Sequence, residues 1–229
     1  MSSLTITSAK LARVPPSINR IPALREIVIV LTKIRYIDLT VFCDHSLLVV
    51  LNLIENRIQY LTNTATKRCS VYDSLEVLML SKNLLTVVNF EMFGVFTAVR
   101  HLAFRGNKLT NFTIESLAGM DELRKLDLSL NNLTSVTLNS DLFPKNLDSI
   151  DISDNNLTGL DLSYIPVQSL KLYLERNKIE RIDINSLSCN ITALTMTYNP
   201  IDCSFETPLE RKMQQEKCVV NNTQGMVDD

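Results

Sequence analysis

One arrangement of apolar and polar positions, L-x-x-L-x-L-x-x-N-x-L, recurs from one end of the chain to the other. The clearest copies are Leu75-Leu78-Leu80-Asn83-Leu85, Leu123-Leu126-Leu128-Asn131-Leu133 and Leu147-Ile150-Ile152-Asn155-Leu157. Numbering the first leucine position as site 1, nine copies begin at residues 1, 24, 48, 75, 99, 123, 147, 169 and 191. They are 22 to 24 residues apart, except that the copy starting at residue 48 is 27 long. A fixed period in this range predicts a solenoid, whose coils bury their apolar faces only against one another.

Sites 4 and 6 should point inward from a short strand, and sites 3, 5 and 7 outward, because strand side chains alternate. Successive strands then stack in parallel, about 4.8 Å apart, into a concave sheet. Asparagine at site 9 can satisfy buried backbone groups of adjacent coils. Asn56, Asn83, Asn107, Asn131, Asn155, Asn177 and Asn199 fill that ladder, whereas the second copy has Thr32 and the first Ala9. The first two coils are therefore expected to be the loosest. Site 14 is apolar (Val14, Ile37, Leu61, Val88, Phe112, Val136, Leu160, Ile182), as is site 16 (Leu39, Phe90, Ile114, Leu138, Leu162, Ile184), and a polar residue separates them. That alternation predicts a second short strand on the far side of each coil. Phe42, Phe93, Leu117, Leu142 and Leu187 should fill the wide back of the core.

The two ends read differently. After Asn199-Pro200-Ile201, Thr207 at N-cap, Pro208 at N1 and Glu210 at N3 signal a short helix. A Cys203–Cys218 bridge would tie it over the open end, so residues 1–201 form the solenoid and 202–229 a C-terminal cap and tail. At the start, Leu4, Ile6 and Leu11 fit repeat sites, while the absence of a basic region and the Pro15-Pro16 pair argue against a secretory signal. The natural protein is expected to extend upstream, or this end to pack against a partner.

Net charge is −2 with both signs interspersed, which favours neither a nucleic-acid nor a membrane-surface partner. Apolar runs such as Ile27–Leu31 fall well short of the ~20 residues that cross a bilayer. Cys43 and Cys69 occupy near-equivalent places on the backs of adjacent coils, within disulfide reach. Cys189 is left over and could compete for Cys218. Two bridges imply an oxidising compartment; the alternative is five buried thiols in a cytosolic protein. Sequons at Asn111, Asn132, Asn156, Asn190 and Asn221 avoid the outward strand sites, so glycans there would leave the concave face open.

Candidate chemistry is sparse. His45 and His101 are isolated and read as solvated surface histidines, and Asp127, Asp151 and Asp154 form an acidic patch on open sheet. No enzyme, metal site or cofactor is expected. The concave face is the better lead. In copies two to four its outward sites include Val28, Val30, Val50, Ile54, Val77 and Met79, flanked by Leu31 and Val49. In copies five to nine those sites are almost all polar, with Ala103, Tyr173 and Ala193 the exceptions. An apolar strip on a polar surface marks a contact site, although valine and isoleucine favour strands whichever way they face. Arg105, Lys125, Lys171 and Arg176 beside the three aspartates would make a second, charged zone, tuning specificity more than affinity.

The run Leu123–Leu133, the spacing after it and the Asn199-Pro-Ile-Asp-Cys203 closure resemble extracellular animal leucine-rich-repeat proteins, most of all insect leucine-rich immune proteins of the mosquito type. The resemblance implies a leucine-rich-repeat horseshoe of the α/β-class solenoid type, with a concave parallel sheet, short convex strands and a C-terminal helical cap. It also implies a secreted recognition or adaptor protein of innate immunity that binds protein partners: a related leucine-rich-repeat protein or a complement-like thioester protein. The chain departs from that pattern in lacking a signal, an N-terminal cap and a heptad coiled coil after Cys218. A fragment of a Toll-like or other receptor ectodomain, or an intracellular leucine-rich-repeat scaffold, would share the repeat.

Overall fold

A computed structural model of the chain describes residues 2–183 and 186–201. In chain order its strands are β1 (Ser3–Thr7), β2 (Glu26–Val30), β3 (Tyr36–Asp38), β4 (Val50–Asn52), β5 (Tyr60–Thr62), β6 (Val77–Met79), β7 (His101–Ala103), β8 (Asn111–Thr113), β9 (Lys125–Asp127), β10 (Ser135–Thr137), β11 (Ser149–Asp151), β12 (Leu170–Tyr173) and β13 (Ile191–Thr195). Nine of them, one per coil, form a single sheet in the order β1-β2-β4-β6-β7-β9-β11-β12-β13. Every described pairing is parallel, and equivalent sites face each other, as Leu51 opposite Leu78, Leu78 opposite Leu102 and Leu102 opposite Leu126, apart from a register shift at Leu170/Lys171 against β13. Burial at sites 4 and 6 is nearly complete from the second coil to the eighth. The predicted solenoid is the fold.

The asparagine ladder explains the stacking. Asn131 Nδ2 donates to Phe104 O and Leu128 O, while its Oδ1 accepts the Leu109 amide of the preceding coil, all within 2.9–3.0 Å. Asn83, Asn107, Asn155, Asn177 and Asn199 repeat the same three bonds. Each asparagine thus satisfies polar groups that the leucine core would otherwise leave unpaired, at a cost of about 1–3 kcal/mol each. Thr32 does not repeat these bonds: its hydroxyl accepts from Ile34 N of its own coil and donates to Asn56 Oδ1 of the next, and neither bond reaches the first coil.

A second regularity lies one residue earlier. Site 8 is left-handed in eight coils: Leu31, Glu55, Lys82, Leu130, Asp154, Arg176 and Tyr198 have φ between 51 and 61°, and Gly106 has 71°. A non-glycine residue there costs roughly 1–2 kcal/mol. The turn aims the site 8 amide at the next coil, as in Lys82 N to Arg105 O at 2.6 Å and Leu130 N to Ser153 O at 3.0 Å, so the inter-coil ladder continues past the strand.

The far side is less regular than the spacing predicts. Among the described residues, second strands form only in the second and third coils (β3–β5) and in the fifth and sixth (β8–β10). In the fourth coil Thr86-Val87-Val88 diverges, and a shallow recess of about 130 Å³ opens between it and Asn111-Phe112-Thr113. In the seventh, Gly159 stands at the equivalent outward site and weakens any strand there. Short 3-10 turns at Pro16–Arg20, Leu39–Phe42, Ser70–Asp73, Phe90–Phe93 and Ile114–Leu117 carry the chain around the back. Phe42, Phe93 and Leu117 fill the back of the core as expected, and Leu187 packs partly against it. Leu142 does not. It is 55% exposed and Phe143 is buried instead, because the sixth coil has no 3-10 turn among its described residues and its Asp141–Pro144 stretch runs irregularly. Phe90, Phe104 and Phe112 meet edge to face, with centroids 5.1 Å apart, and anchor the middle of the stack.

Cys43 and Cys69 form a disulfide with their Cα atoms 4.5 Å apart, joining the second and third coils from behind. Cys189 is free and exposed. Cys203, Cys218, Asn221 and the expected cap helix lie outside the described residues. Among the described residues no helix is long and apolar enough to cross a membrane.

Candidate binding surface on the inner wall

Parallel in-register stacking places equal sites in straight rows across the inner wall. Val50 sits opposite Val77, while Asn52 stands between Val28 and Met79, so the apolar residues of three coils cluster around one polar side chain. Val30 and Ile54, at site 7, extend the strip to the edge, where Leu31 is 54% exposed. Val28, Val30, Val50, Ile54, Val77, Met79 and Val49 are all half-buried, because neighbouring coils cover the flanks of each side chain and leave its outer end open. Ala103 is buried, so the strip ends there and not inside the polar half.

The polar half is a chain of bonds. Arg105 donates to Ser129 Oγ at 2.6 Å, and Ser129 donates in turn to Asp127 Oδ1 at 2.6 Å. Ser153 holds Asp151 in the same way, and Asp151 lies directly opposite Asp127 on one side and Tyr173 on the other. Burial pushes the Asp151 carboxyl above the usual carboxylate range, aided by Asp127 and Glu175 and opposed by the Ser153 hydrogen bonds. Burial likewise lowers His101, against the pull of Asp127. Two polar atoms at this end, Glu175 Oε2 and Thr195 Oγ1, are buried without a hydrogen-bond partner. No sequence pattern flagged them.

The structure splits one expected group. Asp154 is not on the wall beside Asp127 and Asp151. It occupies the left-handed site 8, where its Oδ1 takes Arg176 Nε at 2.6 Å, and Arg176 lies 5.6 Å from the Tyr198 ring centre. Asp154 and Arg176 are therefore committed to each other along the rim. His45 also departs from expectation: it is not solvated but fully buried, with Nε2 3.3 Å from Ile18 O and its ring against Phe42. The turn after Leu39–Phe42 tucks it beneath the first coil. His101 does lie on the wall, half-buried at site 3. Of the sequons, Asn111 and Asn132 are exposed, while Asn156 and Asn190 are half-buried; Asn190 Nδ2 is already bonded to Ile165 O at 2.7 Å. All four lie off the sites that form the wall.

Comparison with known proteins places this arrangement. Leucine rich repeat family patterns match residues 73–133 and 146–167. A leucine-rich-repeat protein of Leptospira interrogans superposes with a TM-score of 0.70 at 23% identity, over 96% of this chain and 53% of its own. The leucine-rich repeat domain of mosquito APL1B gives 0.66 at 20% identity, over 92% and 60%. Toll, in the Toll–Spatzle complex of Drosophila, gives 0.62 at 20% identity, over 78% and 25%. The chain thus spans about half the length of the bacterial protein and a quarter of Toll. No curated protein sequence matches it. At these identities the likeness speaks for architecture, and with the matched repeats and the nine-stranded parallel sheet it establishes that the chain is a leucine-rich-repeat horseshoe.

Proposed function

We propose that the chain is a binding module that holds a protein partner on its inner wall, with the apolar strip supplying affinity and the charged zone orientation. The clustering of Val28, Val30, Val50, Ile54, Val77 and Met79 on one face carries this reading. Half-buried apolar ends on an open sheet gain about 25 cal/mol for each further Å² that a partner covers. Arg105, Asp127, Asp151 and Tyr173 offer hydrogen bonds and an aromatic edge that would fix the partner's register.

The back of the molecule supports the reading of the compartment. The Cys43–Cys69 bridge fits an oxidising environment, and the likeness to APL1B and Toll supports a secreted recognition or adaptor protein of innate immunity, binding another leucine-rich-repeat protein or a complement-like protein. A second reading, a segment of a larger receptor ectodomain of the Toll type, is supported by the likeness to Toll. An intracellular scaffold would keep Cys43 and Cys69 reduced, and intact mass with and without reductant separates it from both.

The triple variant Val50→Ser, Ile54→Ser, Met79→Ser tests the surface. A partner captured from extracellular fluid and titrated by calorimetry should bind the variant on the order of a hundredfold more weakly, while the far-ultraviolet spectrum stays unchanged. Equal affinity for both proteins would exclude the strip as the interface.

A further inference from the structure

Outside the inner wall, one lateral edge carries an unbalanced row of like charge. Elsewhere several charges of adjacent coils form ion pairs: Lys82 with Glu55, Arg100 with Glu76, Lys145 with Asp121, Arg176 with Asp154, Lys67 with Asp44. At site 10 of the first three coils stand Lys10, Lys33 and Arg57. The backbone fixes them as neighbours, with Lys33 N bonded to Leu11 O at 2.8 Å and Arg57 N to Ile34 O at 3.2 Å. Equivalent positions are about 4.8 Å apart along the stack. Three like charges in a row oppose stacking. All three side chains are exposed, and none makes an ion pair or a side-chain hydrogen bond. Arg35 and Arg13 add to the same edge, also exposed and unpaired.

The nearest carboxylates are committed elsewhere. Glu55 takes Lys82 at 2.6 Å, Glu26 accepts from Ser3, and Asp38 is held by Thr40 and Thr64. Beside the cations Tyr36 and Tyr60 face each other on β3 and β5, 52% and 65% exposed, and the Tyr36 hydroxyl is steadied by Thr62 Oγ1 at 2.9 Å. Ala12, Lys33, Arg35, Tyr36 and Arg57 line an open recess of about 340 Å³. The same edge in the sixth and seventh coils is neutral: Asn132, Thr134, Ser135, then Asn156, Thr158, Gly159.

We infer that this edge is a binding site for a linear sulfated polysaccharide, lying along the coils with its sulfates on Lys10, Lys33, Arg57 and Arg35 and its sugar rings against Tyr36 and Tyr60. An unpaired cationic ladder with regular pitch fits a polymer with regularly spaced anions, and aromatic faces fit the C–H faces of pyranose rings. Two classes of polyanion have that charge pattern. The Cys43–Cys69 bridge ties together two of the coils that carry the cations, which favours the polyanion of oxidising extracellular surroundings over a nucleic acid. The site is separate from the inner wall and does not depend on a partner there.

The probe is a heparin-derived dodecasaccharide, titrated by calorimetry at about 0.15 M salt, where the Debye length is about 8 Å. The wild-type chain should bind it, more weakly as salt rises, and should not bind the desulfated oligosaccharide. The variant Lys33→Gln, Arg35→Gln, Arg57→Gln should bind on the order of tenfold or more weakly while melting at the same temperature or slightly higher, since it relieves repulsion. The milder pair Lys33→Gln, Arg57→Gln should fall between, and the Val50→Ser, Ile54→Ser, Met79→Ser variant should bind like wild type. Absence of wild-type binding, undiminished binding by the glutamine variants, equal binding of the desulfated sugar, or tighter binding of single-stranded RNA of equal charge would each overturn the assignment.

Discussion

Coils two to four and coils five to eight share one backbone and differ in nearly everything they show to solvent. The first group has an apolar inner wall, a lateral edge that is cationic in its second and third coils, a disulfide behind it and Thr32 in the ladder. The second has a wall of serine-bonded aspartates, an edge that is neutral in its sixth and seventh coils, a phenylalanine cluster where it joins the fourth coil and asparagine at every rung. The difference teaches that stacking and recognition are carried by separate positions. Sites 4, 6 and 9 are fixed by burial and bonding, so sites 3, 5, 7, 10 and 13 are free to vary, and each half can hold a different kind of ligand without a change of fold.

Four substitutions would break or sharpen that contrast. The largest effect is expected at the joint between the halves: Phe112→Asp removes an aromatic packed on Phe90 and buries a carboxylate, for about 4 kcal/mol or more. Urea unfolding should then lose its single cooperative transition, and a lone sharp transition at the wild-type midpoint would refute a continuous core. Next comes the ladder. Asn131→Ala strands the Leu109 amide and two carbonyls, for about 3 kcal/mol, whereas Thr32→Ala strands only the Ile34 amide, for about 1 kcal/mol. Equal losses in thermal unfolding would show that the threonine rung is no weaker than the rest. The smallest effect concerns the polar wall. Because burial holds Asp151 above its unfolded value of 3.8, the folded state keeps this proton more firmly, and stability falls as pH rises from there through the folded pKa. Asp151→Asn should raise the melting temperature slightly at pH 7, with the gain fading below pH 3.8. A gain that grows on acidification would reverse the sign.

The phase of every strand and rung was legible in the sequence because leucine and asparagine at those sites have no substitute that hides as well or bonds as fully. The Cys43–Cys69 pairing was legible for a similar reason: once the coils are phased, geometry leaves those two thiols together. Site 8 was not, since its left-handed turn is filled by leucine, glutamate, lysine, arginine, aspartate and tyrosine, with glycine only at Gly106. Here tertiary bonding overrides propensity, and no residue type betrays it. The back was half legible for the same cause. Phe42 and Phe93 are too large to lie anywhere but inside, whereas Leu142 and Phe143 could exchange roles with a one-residue slip in a loop that no ladder restrains. The inner strip was readable as alternation along strands. The cationic edge was not, because it runs across coils, one residue from each, and shows only when copies are laid over one another.

The third coil holds three residues more than its neighbours, and Thr64–Arg68 carry that excess at the rear, while Val50 still meets Val77 without any shift at the front. Length is absorbed where the circumference is wide and never where the left-handed turns and amide rungs clamp it. A graft of foreign sequence between Thr64 and Arg68 would thus hang from the convex side like a pendant on a chain, and the architecture offers itself as a carrier whose grip and cargo can be rewritten independently.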